Sequence, residues 1–192
     1  MITVPDFAPL TVFPKLQTKR LSLVPITMKH LEDIFALFSD EHVTRFYNLH
    51  TFKQLQDAQP FIEFYIKKFN EKSGIRWGIT LEDSPQIIGT IGFNNFTKNH
   101  RANIGYDLQS KYWNKGILTE ALQRVVNFGF EHLAVNRIEA EVMIGNLASE
   151  KVLLKNGFTR EAVLHDWMLF NNQHYDMTMF SLLKSQYLAN QA

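Results

Sequence analysis

The chain has 192 residues, 45% hydrophobic and 20% charged, with 20 Lys+Arg against 19 Asp+Glu and no cysteine. That length predicts one domain whose core needs no metal or disulfide. The absence of cysteine excludes a disulfide framework, a thiolate zinc site and a cysteine nucleophile. A formal net charge of +1 lacks the basic excess of a dedicated nucleic-acid binder.

Residues 1–17 carry Pro5, Pro9 and Pro14, which predict an extended arm rather than a helix. Asp6 and the lack of a basic start before an apolar run argue against a signal peptide. No apolar stretch approaches the ~20 residues that span a bilayer, so the expected compartment is the cytoplasm. From Arg20 to Pro25 apolar and polar residues alternate, as in a half-buried strand. Thr27 can cap the next helix, whose apolar face carries Leu31, Ile34, Phe35 and Phe38. Leu55, Ala58, Phe61, Ile62, Tyr65, Ile66 and Phe69 mark a second helix, with Gly74 just beyond it. Strands are predicted over 76–81 and 86–93, around Asp83-Ser84-Pro85. A polar loop runs through Arg101, and a short strand follows over 103–108.

Leu118, Leu122, Val125, Val126, Gly129 and Leu133 then form a helical stripe, and residues 137–144 alternate as a strand. Residues 146–155 read as a helix, with Gly157 where a left-handed cap belongs. Strand-like runs over 158–170 and 175–183 flank an Asn171-Asn172 turn. This order predicts an α+β, or mixed α/β, domain on one central sheet. Between Asn103 and Gly157 it predicts a parallel strand pair with a right-handed crossover.

The informative stretch runs from Ile104 to Ala121. A strand ends there, and a polar loop leads into a helix starting near Gly116. Helix N-termini expose unpaired N–H groups and carry partial positive charge, so this loop is suited to a pyrophosphate. Gly116 permits close backbone approach, Lys115 adds charge and Thr119 adds a hydroxyl. Neither GxxxxGK(S/T) nor GxGxxG is present, and alone the loop reads equally as an ordinary helix start. Thirty positions after Gly116 comes Asn146-Leu-Ala-Ser149, and eleven after Asn146 comes Gly157-Phe158.

Together these motifs resemble the GNAT superfamily of acetyl-CoA-dependent N-acetyltransferases, over roughly residues 18 to 188. The family's pyrophosphate loop, Gln/Arg-x-x-Gly-x-Gly/Ala, aligns with Trp113-Asn114-Lys115-Gly116-Ile117-Leu118. Its N-x-x-S motif and later Gly-Phe pair align with Asn146, Ser149, Gly157 and Phe158. The Tyr-Trp-x-Lys-Gly-x-x-Thr-Glu-Ala version is similar to that of the ribosomal-protein alanine N-acetyltransferases. Trp113 and Leu118 depart from the general pattern, and Leu118 is bulky beside the phosphates.

The resemblance implies one domain over 18–188, after an arm over 1–17 and before a tail over 189–192. It implies a sheet splayed between strands 103–108 and 137–144, with acetyl-CoA in the gap as co-substrate and no metal. Residues 113–119, Asn146 and Ser149 would bind the cofactor, and the Leu108 backbone would polarise its thioester. By resemblance Glu141 is a water-mediated base and Ser149 the proton donor, with Tyr106 a third option. Many relatives place a Tyr where this chain has Leu153, which cannot donate. Read alone, Glu141 is more readily a surface carboxylate, and Ser149 is equally a first-turn serine that bonds cofactor or backbone. Glu139 is a weaker candidate, and Glu120 reads as helix-face structure. Residues 40–75, with Phe46 and Tyr47, would shape the acceptor groove, although Phe61, Tyr65 and Phe69 read as helix core.

The acceptor expected first is a protein N-terminal amine, then a small-molecule amine. A non-catalytic acyl-CoA-binding module is the alternative from another class. No nucleic-acid or membrane partner is expected, and relatives of this kind often form homodimers. His165 and His174 flank the last hairpin with Asp166 and Asp176, but His-x8-His is no recognised metal spacing.

Overall fold

A computed structural model of the protein describes residues 10–97 and 101–189. Eight strands form one sheet: β1 (Leu16–Gln17), β2 (Leu21–Pro25), β3 (Ile75–Leu81), β4 (Ile87–Thr97), β5 (Arg101–Leu108), β6 (Arg137–Met143), β7 (Thr159–Phe170) and β8 (Gln173–Leu183). Their order is β1-β2-β3-β4-β5-β6-β8-β7, and only the β5–β6 pair is parallel. Helices α1 (Leu31–Phe38), α2 (Glu41–Thr44) and α3 (Ala58–Asn70) precede β3. Helix α4 (Ile117–Glu131) joins β5 to β6, α5 (Leu147–Lys155) joins β6 to β7, and α6 (Lys184–Ala189) follows β8.

The alternation of each strand divides the apolar residues between two cores. One lies under α4 and α5, where Trp77, Ile91, Phe93, Ile138, Ala140 and Val142 meet Val125, Phe128 and Leu153. The smaller one lies under α1 and α3, built from Ile26, Ile34, Leu37, Phe38, Phe52, Ile62 and Ile87. Burying a large apolar side chain is worth about 1.5–3 kcal/mol. The long buried stripe of α4 is therefore the strongest single tie of helix to sheet. Gly129 lets that helix approach closely, since a Cβ there would stand 2.7 Å from the Phe93 ring.

The expected mixed sheet with flanking helices is the fold observed. The structure adds β1, α2 and α6, each too short to leave a periodic signal. It also corrects the predicted loop after residue 93, because β4 continues to Thr97. A register shift between Phe93 and Asn95 absorbs Asn94 as a bulge, and its Nδ2 donates to Asn103 Oδ1 at 2.9 Å. The polar residues there are thus satisfied across strands. Residues 1–9 of the predicted arm, 98–100 of the predicted loop and 190–192 of the predicted tail lie outside the described residues.

The described part of the arm is held on the core. The Phe13 ring sits 4.8 Å from Phe69 and 5.8 Å from Trp77, and Trp77 Nε1 donates to Pro14 O at 2.7 Å. At the other end Asn171 and Asn172 both have positive φ, 51° and 58°. That is the two-residue turn whose twist matches a hairpin, and it sets Phe170 opposite Gln173.

Among the described residues one ion pair is fully buried. On the α1–α3 side Arg76 of β3 donates to Asp107 of β5, with side chains 1% and 3% exposed. Arg76 Nε also donates to Thr90 at 3.1 Å and Nη1 to Asn94 at 2.9 Å, while the Tyr65 ring lies 5.1 Å from the guanidinium. Removing one partner strands a buried charge. Arg76→Leu is expected to cost about 3–5 kcal/mol, read as a lower urea midpoint.

Candidate active site

The site begins where β5 and β6 part. They pair only at Arg101↔Arg137, Ala102↔Ile138 and Asn103↔Glu139. Beyond that β5 stays on β4 as far as Gly89↔Leu108, and β6 stays on β8 as far as Met143↔Met177. A wedge opens between them, and the cleft it forms measures about 830 Å³.

Backbone direction decides what faces this gap. Gln109 N donates to Ile88 O at 2.9 Å, so by antiparallel alternation residues 104, 106 and 108 turn their N–H and C=O groups toward β6. The Leu108 carbonyl accepts from Trp113 Nε1 at 2.8 Å. Its N–H is left facing the gap. Trp113, the departure from the family's Gln or Arg, thereby fixes the end of β5 beside the loop.

The loop then wraps a helix N-terminus. Asn114 and Gly116 both have positive φ, 60° and 74°, and Gly116 is the N-cap of α4. Glu120 N makes the first helical bond, to Gly116 O at 3.1 Å. The N–H groups of residues 117–119 therefore have no partner within the helix, and such a concave row of N–H groups with a helix dipole behind it suits an anion. Trp113, Asn114, Gly116, Ile117, Leu118 and Thr119 line the cleft. Lys115 does not: its Nζ donates to Lys111 O at 2.9 Å. Leu118 is half-buried and packs on the core, which leaves its N–H available. Glu120 is structural, because it takes Thr18 Oγ1 and Arg20 Nε at 2.6 Å each and Arg20 N at 3.0 Å. Arg20 in turn donates to Lys115 O at 3.1 Å, bracing the loop from β2.

Across the wedge, Asn146 caps α5 by accepting from Ser149 N at 3.2 Å. The Ser149 hydroxyl lies 2.9 Å from the Tyr106 hydroxyl, which also donates to Ser149 O at 3.2 Å. The two donor candidates are thus one hydrogen-bonded pair. Burial pushes the Tyr106 phenol well above its ordinary value, so it is a neutral O–H. Leu153 is fully buried in the core.

Glu141 stands on the other face. Asn103 pairs with Glu139, so these two side chains share a face, and the period of two adds Gly105, Asp107 and Glu141 to it. Tyr106 falls on the opposite face. Glu139 is committed to Arg137 at 2.6 Å and Arg101 at 3.4 Å. Glu141 lines the cleft. Desolvation raises its carboxyl, against a hydrogen bond from Trp167 that lowers it. Phe46 and Tyr47 line the same end, whereas Phe61, Tyr65 and Phe69 of α3 do not. Met168 and Met177 also line it, residues that nothing in their own spacing singled out. On the last hairpin His165 Nδ1 is 2.9 Å from Asp176 and His174 Nδ1 is 3.2 Å from Asp166 O. Among the described residues no three His, Asp or Glu side chains are grouped to hold a metal, and no helix is long and apolar enough to cross a membrane.

A carboxyl raised by folding costs stability when ionised, above its unfolded value of about 4.5. Glu141→Gln is expected to raise the stability at pH 7, by less than about 1 kcal/mol for an exposed group. The gain should shrink as the pH falls toward about 4.5 and be gone below it, read from urea midpoints across that range.

Comparison with known proteins agrees with this geometry. Residues 20–159 match the acetyltransferase (GNAT) domain family. The chain is 41% identical over 174 residues to the uncharacterized N-acetyltransferase YoaA of Bacillus subtilis (strain 168), covering 90% of this chain and 98% of that one. It is 28% identical over 120 residues to the ribosomal protein uS5-alanine N-acetyltransferase of Escherichia coli (strain K12), covering 61% and 62%. The microcin C7 self-immunity acetyltransferase MccE, solved in complex with acetyl-CoA and AMP, shares the fold with a TM-score of 0.79 and 23% identity, over 86% of this chain and 93% of that one. A wedge floored by free strand amides and closed by two helix N-termini, together with these matches, makes the chain a member of the GNAT acetyltransferase family, an acetyl-CoA-dependent N-acetyltransferase.

Proposed function

We propose that this enzyme acetylates a primary amine at a protein N-terminus, by direct attack of the amine on the thioester. The observation that carries the reading is the placement of Glu141 on one face of the wedge and the Tyr106–Ser149 pair on the other, with the Leu108 N–H between them. Acetyl-CoA, when bound, supplies an acetyl group activated as a thioester. The residues present fit it: the first-turn N–H groups of α4 suit its pyrophosphate, and the freed backbone groups of β5 suit its amide arm. Asn146 and Ser149 close the site from the side of α5.

The roles follow from charge. Leu108 N–H donates to the carbonyl oxygen as negative charge develops there, the kind of stabilisation that is usually the largest single catalytic contribution. Glu141 takes the proton leaving the amine, through a water. An α-amino group, with an ordinary pKa of ~7.7–8.0, needs less help than a lysine at ~10.4, so an exposed carboxylate suffices. As the C–N bond forms and the C–S bond breaks, Ser149 gives its proton to the departing sulfur and is reprotonated from solvent in the cleft, while Tyr106, held as a neutral O–H, keeps the Ser149 hydroxyl in place. A protein N-terminus is favoured over a small amine by the relative named for acetylating an alanine of ribosomal protein uS5. The domain assigned to 18–188, a homodimer and a cytoplasmic setting belong to this same reading.

General acid–base groups are worth ~10²–10⁴-fold. With an alanine-led peptide as acceptor, Glu141→Gln and Ser149→Ala should each lower kcat/KM at least tenfold; if both stayed within about twofold, the assignment is wrong. Gly116→Asp keeps a residue type that tolerates positive φ and sets a negative charge at the anion site. Calorimetry should show micromolar one-site acetyl-CoA binding by the wild type that the variant weakens at least tenfold.

A further inference from the structure

Asp107 is a buried carboxylate that the mechanism above leaves without a role. Its Oδ2 accepts from both Arg76 Nη2 and Thr90 Oγ1, the latter at 3.1 Å. Its Oδ1 has no hydrogen-bond partner among the described residues. A guanidinium fork normally engages both carboxylate oxygens side by side. Here the fork is spread over Thr90, Asn94 and Asp107, with Tyr65 closing its open face, and only one oxygen is used.

The unused oxygen has one place to go. Asp107 lines the cleft, precedes Leu108 directly in sequence, and shares its sheet face with Glu141 on the opposite wall. The unpaired oxygen is not sealed in the core but opens to the cleft, so a partner for it comes from what enters there. The complementary group is compact, cationic and rich in N–H donors, which describes a primary ammonium. Asn94 and Asn103 also line this end, but their carboxamides are bonded to each other.

We propose that Asp107 is the acceptor-recognition residue: its free oxygen accepts an N–H of the incoming primary ammonium and holds the amine on the Glu141 face, one residue from the Leu108 amide. The inference rests on the reading of this wedge as the acetyl-transfer site. It separates two tasks, since Asp107 selects and seats the charged amine while Glu141 removes its proton.

The test is binding of two peptides to the protein saturated with CoA, followed by calorimetry. One peptide begins with alanine, and its twin begins with lactate, which replaces the ammonium by a hydroxyl. The wild type should bind the alanine-led peptide at least tenfold more tightly than its twin, and Asp107→Asn should erase that preference while CoA binds within twofold of wild type. Because Asp107→Asn leaves Arg76 without a charged partner, a second variant, Arg76→Met with Asp107→Leu, removes both charges and should lose the preference equally. Under turnover, Asp107→Asn should raise the acceptor KM with little change in kcat, whereas Glu141→Gln lowers kcat. A wild type that does not prefer the ammonium, or a preference that survives in either variant, overturns the proposal. Loss of the preference in both variants, with Glu141→Gln fully active, would uphold Asp107 and instead overturn Glu141 as the base.

Discussion

Everything functional in this protein depends on one interrupted ladder. After three paired residues β5 and β6 separate, and the backbone of β5 from 104 to 108 is left without a strand partner on that side. Buried N–H and C=O groups without partners cost about 1–3 kcal/mol each, so a sheet does not part in its middle without support. Here the support lies outside the gap. β5 keeps its register with β4 to the end of the strand, and β6 keeps its register with β8 along its whole length. The two strands are thus held by their outer neighbours, and the groups freed between them are left open to the cleft. Both helices that open at the wedge, α4 at Gly116 and α5 at Asn146, add unpaired N–H groups to the same place.

The two faces of the wedge are chemically unlike, and the period of two in each strand makes them so. Even-numbered residues of β5 and β6 look toward α4 and α5, a packed apolar layer into which the Tyr106 hydroxyl brings a neutral hydrogen bond. Odd-numbered residues look toward α1 and α3 and carry Asn103, Asp107, Glu139 and Glu141. The gap therefore has a carboxylate on one side and a neutral hydroxyl pair on the other. The acidic face is costly to maintain. Arg76, Thr90 and Asn94 are spent on it, and Glu141 is held with its carboxyl raised by desolvation.

Much of this was readable before the fold was known. The helical stripe from Leu118 to Gly129, the strand over 137–144 and the Asn171-Asn172 turn are strong local signals, and all three form as expected. So does the helix start at Gly116, because a helix start with a glycine at positive φ is a local property of the chain. What escaped was non-local. Arg76 reads as an ordinary polar position in an alternating strand, and nothing near it in sequence announces a partner 31 residues away. The strand over 94–97 was hidden because Asn and Phe in a bulge break the alternation. The sequence marks Trp113 only as a departure from Gln or Arg, and its reach to the Leu108 carbonyl gives it a task. Lys115 shows the opposite case: a cation in the right loop is turned onto a neighbouring carbonyl, since charge in a sequence carries no direction.

The far edge of the sheet has a consequence of its own. β7 is twelve residues long and has only β8 beside it, and it exposes Trp167 and Leu169. A straight edge of that length would present a continuous row of backbone donors and acceptors, a template on which another sheet could grow. Two register shifts, one between Arg160 and Ala162 and one between Leu164 and Met168, break that row. At the second shift Asp166 adopts a φ of 51°, with its N–H held by Asp176 at 2.9 Å. The same irregularity that brings Trp167 within hydrogen-bonding reach of Glu141 also breaks the regular row on which another strand would pair, so the lining of the cleft and the protection of the edge share one local departure from the ladder.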